Sequence, residues 1–257
     1  MLFRSTLILY IHTYLLSSPV SSLADILQRQ SVWRGGAPSG AAVPAAPTGY
    51  AALDAVLPGG GWPAGGLAEL LCDAEGVGEL QVVLPALAAL TAAGHRIAWL
   101  APPYLPYAPA LKAAGVRLAG LTVVRAPGRR DALWAAEQAL RSGAFHALLL
   151  WLPRASYPEL RRLAVAAQSG PGFALAFRPP EAGCESSPAV LRMALEPAVE
   201  AGAGHPALRI LKRRGLPLAA PLPLPIERPF GKKPHALGRA PLSAAPPPGD
   251  RARACAA

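Results

Sequence analysis

Leu67-Ala-Glu-Leu-Leu-Cys-Asp73-Ala-Glu-Gly-Val-Gly-Glu-Leu80 is the stretch whose reading decides the fold. Leu67 to Leu71 is a short apolar run bounded by turn signals, which reads as a buried strand. Asp73 to Leu80 is a glycine-containing turn, and the apolar run Leu80 to Ala93 that follows has helix length. Strand, glycine turn and helix make the frame of a phosphate-binding loop, which would read Gly, four residues, Gly, Lys, Ser/Thr. Gly76 lies inside the turn and Gly78 stands at the second glycine position. Asp73 replaces the first glycine, Glu79 the lysine and Leu80 the magnesium-binding hydroxyl.

The charges oppose phosphate. A working loop converges backbone N–H groups, a helix N-terminus and a lysine on the anion. This one carries Asp73, Glu75 and Glu79. Two like unit charges at ~4 Å repel by ~1 kcal/mol in water and about 4 kcal/mol at an effective dielectric near 20. Glu79 suits instead the positive end of the helix it precedes. On these eight residues alone, an ordinary glycine-rich strand-to-helix turn with a helix-stabilising glutamate is the better account.

Strand-like and helix-like segments alternate through the chain. Strands are expected over Leu67–Leu71, Arg96–Leu100, Leu121–Arg125, Ala147–Leu152 and Phe173–Phe177, with an antiparallel pair, Val190–Glu196 and Leu208–Arg213, at the end. Helices are expected over Ser22–Gln28, Ala51–Val56, Leu80–Ala93, Pro106–Ala114, Arg130–Ser142 and Pro158–Ser169. Pro85 must sit in the first turns of its helix or kink it, and Arg161 and Arg162 mark an exposed face. Alternation of this kind indicates an α/β sheet, and continuous apolar runs such as Ala147 to Leu152 suit its parallel centre.

Composition fits one such domain with a tail. At 257 residues, 52% hydrophobic and 16% charged, the chain can bury a substantial core. From about Pro217 prolines break the pattern, so residues 217–257 read as a Pro-rich, basic, disordered tail of polyproline character. Leu222, Leu224, Ile226 and Phe230, with Arg228, make part of that tail a candidate partner-binding segment. The net charge of +10 suits an acidic partner such as nucleic acid, or simply a solvated basic surface. The three cysteines, Cys72, Cys184 and Cys255, show no CxxC motif and no even-numbered framework, which favours a reducing compartment and a cytoplasmic protein. The five histidines are isolated, so no metal site is expected, and no nucleophile–base set points to catalysis. Met1 to Val20 resembles a signal peptide but is too short and interrupted to span a membrane. It reads as a mis-called or non-structural extension.

The residues around the loop carry a resemblance. Pro47-Thr-Gly-Tyr-Ala-Ala-Leu-Asp54 and Leu57-Pro-Gly-Gly-Gly-Trp-Pro-Ala-Gly-Gly-Leu-Ala-Glu-Leu70 resemble the approach to the phosphate loop in the RecA recombinase family. Arg130 to Gly143, before the apolar run at Ala147, resembles the helix that precedes its Walker B strand. More narrowly, Leu23 to Leu27, Val32 to Gly36, Ala101-Pro-Pro-Tyr-Leu-Pro-Tyr-Ala-Pro109 and Asp131 to Gln138 resemble ImuA, the RecA-like family associated with translesion DNA synthesis.

The resemblance implies a RecA-like, mostly parallel twisted sheet flanked by helices over residues 47–216. Before it would come a non-structural extension (1–21) and an N-terminal helix and linker (22–46). The aligned catalytic positions are lost: Trp151 stands where the Walker B aspartate would be, Ala101, Pro102 and Pro103 where the water-activating glutamate would be, and Arg178 and Pro179 at the polar sensor. Phosphoryl transfer needs a phosphate cradle, a metal site and a positioned water, so the expected protein is a pseudo-ATPase with no cofactor. The implied role is a non-hydrolysing accessory of an SOS-induced mutagenic repair complex. Its partners would be an ImuB-like inactive Y-family polymerase homologue, an error-prone replicative-type polymerase and RecA. Direct DNA contact is left open, because the loops Pro153–Tyr157 and Pro179–Pro188 are short and carry few basic groups. The alternative is a cell-division inhibitor resembling SulA, which also has a RecA-like core without ATPase activity and binds the tubulin-like division protein.

Overall fold

The computed structural model describes residues 44–73, 76, 78–126, 128–196, 206–215, 218 and 220–226. The expected helix at Ser22–Gln28 and the extension before it lie outside these residues, as do Arg228 and Phe230. A two-stranded antiparallel ribbon, β1 (Ala45–Ala46) with β2 (Trp62–Pro63), precedes the main sheet. The eight strands of that sheet are β3 (Leu67–Cys72), β4 (Ile97–Leu100), β5 (Leu121–Val124), β6 (Ala147–Trp151), β7 (Phe173–Arg178), β8 (Leu191–Glu196), β9 (Ala207–Lys212) and β10 (Leu222–Pro223). They lie side by side in the order β10-β9-β8-β3-β7-β6-β4-β5. The pairings from β8 through β3, β7, β6 and β4 to β5 are all parallel, and β9 and β10 add an antiparallel edge. The expected mixed α/β architecture, with a large, mostly parallel sheet, is therefore present.

Among the described residues five α-helices join these strands: α1 (Ala51–Val56), α2 (Leu84–Ala92), α3 (Ala108–Ala113), α4 (Arg129–Arg141) and α5 (Tyr157–Ala167). Because side chains alternate across a strand, the sheet builds two cores. Leu149 and Trp99 face Leu84 and Leu87 of α2 and Leu111 of α3. Leu148 and Leu150 face Ala136 of α4 with Leu160 and Leu163 of α5. Each fully buried leucine of this kind contributes roughly 2 kcal/mol of transfer free energy.

Local chemistry sets the helix ends. The helix expected from Leu80 begins only at Leu84, because residues 78–83 are turn and Pro85 sits at the start of α2, where its missing N–H costs nothing. Gly49, at φ 89°, packs so close to Pro85 that a Cβ there would lie 2.4 Å from the proline Cβ. Tyr50 Oη donates to Gln81 O at 2.8 Å, fixing the same approach. Thr48 donates its hydroxyl (2.7 Å) and its backbone N–H (2.8 Å) to Asp54 Oδ1, which ties the entry of α1. Helix α5 opens on a capping box between Ser156 and Glu159. Its Arg162, expected on a solvated face, reaches Glu137 of α4, which also accepts from Arg141 at 3.0 Å. Burial alone would raise the Glu137 carboxyl; Arg162 and Arg141 hold it below its ordinary value.

Two features mark the sheet margins. Helix α2 ends in a Schellman turn, with Gly94 N–H donating to Thr91 O and His95 N–H to Leu90 O. This brings the His95 ring against His146, before β6, with centroids 3.7 Å apart. At the other margin, residues expected in the tail are part of the domain. Leu222–Pro223 pairs with β9, Leu224 is fully buried and Ile226 nearly so. The boundary expected at residue 217 is thus corrected: Leu222 to Ile226 pack as part of the domain. The alternation Pro221-Leu-Pro-Leu-Pro-Ile226 has the period of a strand, and proline is tolerated on an edge.

Candidate functional site

Strands β3 and β4 deliver the chain to α2 and α3 on one face of the sheet, and β6 delivers it to α5 on the other. Between such diverging exits, at the carboxyl ends of the strands, open α/β sheets form their ligand crevices. A crevice of about 600 Å³ lies there. Cys72, Asp73 and Glu79 form one wall, Ala101, Pro103 and Tyr104 the second, and Trp151, Pro153, Phe177, Arg178 and Pro179 the rest. Ala101 has φ 50°, a conformation an L-residue adopts only when its surroundings impose it.

The glycine turn explains the first wall. Gly76 and Gly78 have φ 80° and 112°, values that glycine reaches without a Cβ penalty. The Glu79 side chain folds back into the turn they make. Its Oε1 accepts from Gly76 N–H at 3.0 Å and its Oε2 from Gly78 N–H at 3.1 Å. Both are among the N–H groups that would cradle a phosphate, and the chain's own carboxylate satisfies them. Leu80 points into the core beside α1 and α2 instead of lining the crevice. Trp151 occupies the floor, packed against Trp99 (ring centroids 5.5 Å apart) and Phe177 (4.8 Å). A nucleotide triphosphate with its metal does not fit these residues.

The crevice is negative where a phosphate site is positive. Burial first, then the Glu79 and Asp73 carboxylates, push the Cys72 thiol up to about 12. A thiol with its pKa raised in this way is a poor thiolate nucleophile. Among the described residues no group of three or more His, Cys, Asp or Glu side chains is placed to hold a metal. No helix among them is long and apolar enough to cross a membrane.

The structure brings Asp73, Glu79 and Trp151 together at the crevice, with Gly76 and Gly78 shaping its loop. It does not bring the candidate partner-binding leucines there. Leu222 lies in the edge strand β10, three strands from β3, and Leu224 and Ile226 are core residues with no surface to offer.

Behind the crevice is a charge network that the sequence reading missed. Glu69, fully buried in β3, accepts from Arg192 Nε at 2.6 Å, Arg178 Nη1 at 3.3 Å and Ser187 Oγ at 2.9 Å. Arg178 also donates to Glu185 Oε2 and Ala155 O, and Arg192 to the carbonyls of Glu185 and Ala182. The available signal was a pair of opposite charges inside neighbouring apolar strands: Glu69 and Arg192 are register partners.

The arrangement defines a class: an α/β protein with a mostly parallel sheet and a glycine loop closed by its own glutamate. No family model matches the chain. It is similar to SulA, the cell division inhibitor, of Edwardsiella piscicida, with 36% identity over 83 residues. That match covers 32% of this chain and spans about half (49%) of the curated relative. A solved structure, SulA from Pseudomonas aeruginosa, shares 27% identity at a TM-score of 0.38, covering 45% of this chain and 98% of that one.

Proposed function

We propose that the protein is a non-hydrolysing binding protein of the SulA kind, which restrains cell division after DNA damage by engaging the tubulin-like division protein. The observation that carries this reading is the 83-residue likeness to a cell division inhibitor. The closed loop supports it, since a protein that acts by contact needs no phosphate cradle, and the Glu79 carboxylate fills the one the fold would offer. On this reading the core is RecA-like in descent and has kept the strand–loop–helix frame without its chemistry. The protein neither hydrolyses ATP nor binds it tightly. The test is titration of the purified chain with the division protein, beside calorimetry with Mg-ATP. Saturable protein binding and no micromolar heat with Mg-ATP are expected. Micromolar nucleotide binding would overturn the non-hydrolysing reading.

The ImuA-like reading keeps one specific support, the run Ala101 to Pro109. It projects Tyr104, Leu105 and Tyr107 into solvent, at 71%, 70% and 66% exposure, beside the crevice. Under that reading the partners are an ImuB-like inactive Y-family polymerase homologue, an error-prone polymerase and RecA. Capture of the Y-family homologue in preference to the division protein would favour it.

A further inference from the structure

The crevice has reversed its electrostatic sense. Its walls carry three charged side chains, Asp73, Glu79 and Arg178. Arg178 is already neutralised, because Arg178 and Arg192 are matched by Glu69 and Glu185 in one bonded network. Asp73 and Glu79 remain, a local excess of two negative charges on a chain whose net charge is +10. Glu79 is pinned by the two glycine N–H groups, and a carboxylate has about four acceptor positions, so it keeps capacity for another donor. Asp73 is exposed at the mouth.

The uncharged lining is apolar and includes three aromatic rings beside prolines, Ala101 and the Cys72 thiol. Trp151 is held in place by Trp99 and Phe177, and Phe177 and Tyr104 line the same space. Fixed aromatic faces beside carboxylates attract a desolvated cation through the ring quadrupole and the carboxylate charge together. A planar guanidinium satisfies both better than an ammonium, because it stacks on a ring while its N–H fork meets carboxylate oxygens. Among the described loop residues, the Gly76 and Gly78 N–H groups that an anion would need are already taken by Glu79. The exposed lip of Tyr104, Leu105 and Tyr107 adds apolar contact area suited to a polypeptide.

We propose that this crevice is a receptor for a guanidinium group, an arginine side chain presented by a protein partner. The proposal rests on the reading that the chain acts through a protein partner, and it names the chemistry that partner must supply.

The test uses the full chain labelled with ¹⁵N at its tryptophan indoles, the Trp151 signal being assigned by Trp151→Phe. The probe is N-acetyl-arginine methylamide, compared with the lysine analogue, the uncharged citrulline analogue and inorganic pyrophosphate. The expected result is a saturable shift of the Trp151 indole signal with the arginine probe and none of the exposed Trp134 signal. Binding should be weaker for lysine and absent or at least about tenfold weaker for citrulline, the loss expected when a charge-assisted contact is removed. Asp73→Asn, at an exposed position, should weaken arginine binding by roughly fivefold to tenfold with an unchanged melt. Citrulline matching arginine, pyrophosphate competing for the site, or Asp73→Asn leaving binding unchanged would each overturn the proposal. Partner capture that persists without any arginine response would refute the receptor alone. Arginine binding without capture of either candidate partner would refute the proposed function alone.

Discussion

Replacing Glu69 by glutamine should destabilise the domain severely, although glutamine preserves shape and most hydrogen bonding. Glu69 is fully buried and lies 2.6 Å from one guanidinium and 3.3 Å from another. At ~4 Å and an effective dielectric near 20, each such pair is worth about 4 kcal/mol before desolvation. Desolvation cancels much of that gain in the intact network. It does not cancel the loss when the carboxylate alone is removed, because Arg192 stays buried with its charge uncompensated and Arg178 keeps only the Glu185 carboxylate. Breaking a buried pair in this way typically costs about 3–5 kcal/mol. Glu185 moderates the effect on Arg178 only, since Arg192 keeps nothing but carbonyl partners. Urea denaturation of wild type and Glu69→Gln would read the difference directly, and the thermal midpoint should fall by roughly 6–20 °C. The triple variant Glu69→Leu, Arg178→Met, Arg192→Met should recover much of the loss, because apolar isosteres carry no desolvation debt. A loss below about 1 kcal/mol for Glu69→Gln, or a triple variant no better than the single one, would refute the reasoning.

Glu79→Lys should restore neither ATP hydrolysis nor Mg-ATP binding, since Leu80 and Trp151 still lack the metal chemistry; measurable turnover in a coupled assay would contradict this. Glu79→Ala should lower stability by about 1–3 kcal/mol in urea, the worth of a charged hydrogen-bonding group in a turn. Leu224→Ala should cost about 2–5 kcal/mol as a core truncation, and removing the chain from Pro217 should lower the melt by more; an unchanged melt would return this segment to a tail. Burial, and then the neighbouring His95, lower the His146 pKa below its ordinary value. The unfolded chain therefore binds the proton more readily, so this stability is fully present above about pH 6.5 and is lost as pH falls through the depressed folded value. Thermal midpoints between pH 8 and pH 5 should fall more steeply for wild type than for His146→Gln, and equal slopes would contradict the assignment.

Much of the fold could be read from residue order because the parallel strands announce themselves. Ala147 to Trp151 and Phe173 to Phe177 are apolar throughout, as strands covered on both faces must be. The start of α2 was misplaced by four residues because an apolar run does not show where turn gives way to helix; only Pro85 hinted at it. The electrostatic conflict in Asp73 to Leu80 was legible, whereas its resolution was not. Spacing alone reads Glu79 as a partner of the helix dipole, but its carboxylate turns back to Gly76 and Gly78. The edge strand was hidden by proline content, which outweighed the alternation of Leu222, Leu224 and Ile226. Glu69, Arg178 and Arg192 sit on three strands far apart in sequence, and only the register of the sheet makes them a network.

The most direct test of a binding protein with a self-closed loop is its affinity for the tubulin-like division protein, measured by interferometry with and without Mg-ATP. The account predicts saturable binding with the same Kd in both conditions. Binding that appears only with nucleotide, or no binding in either condition, would contradict it.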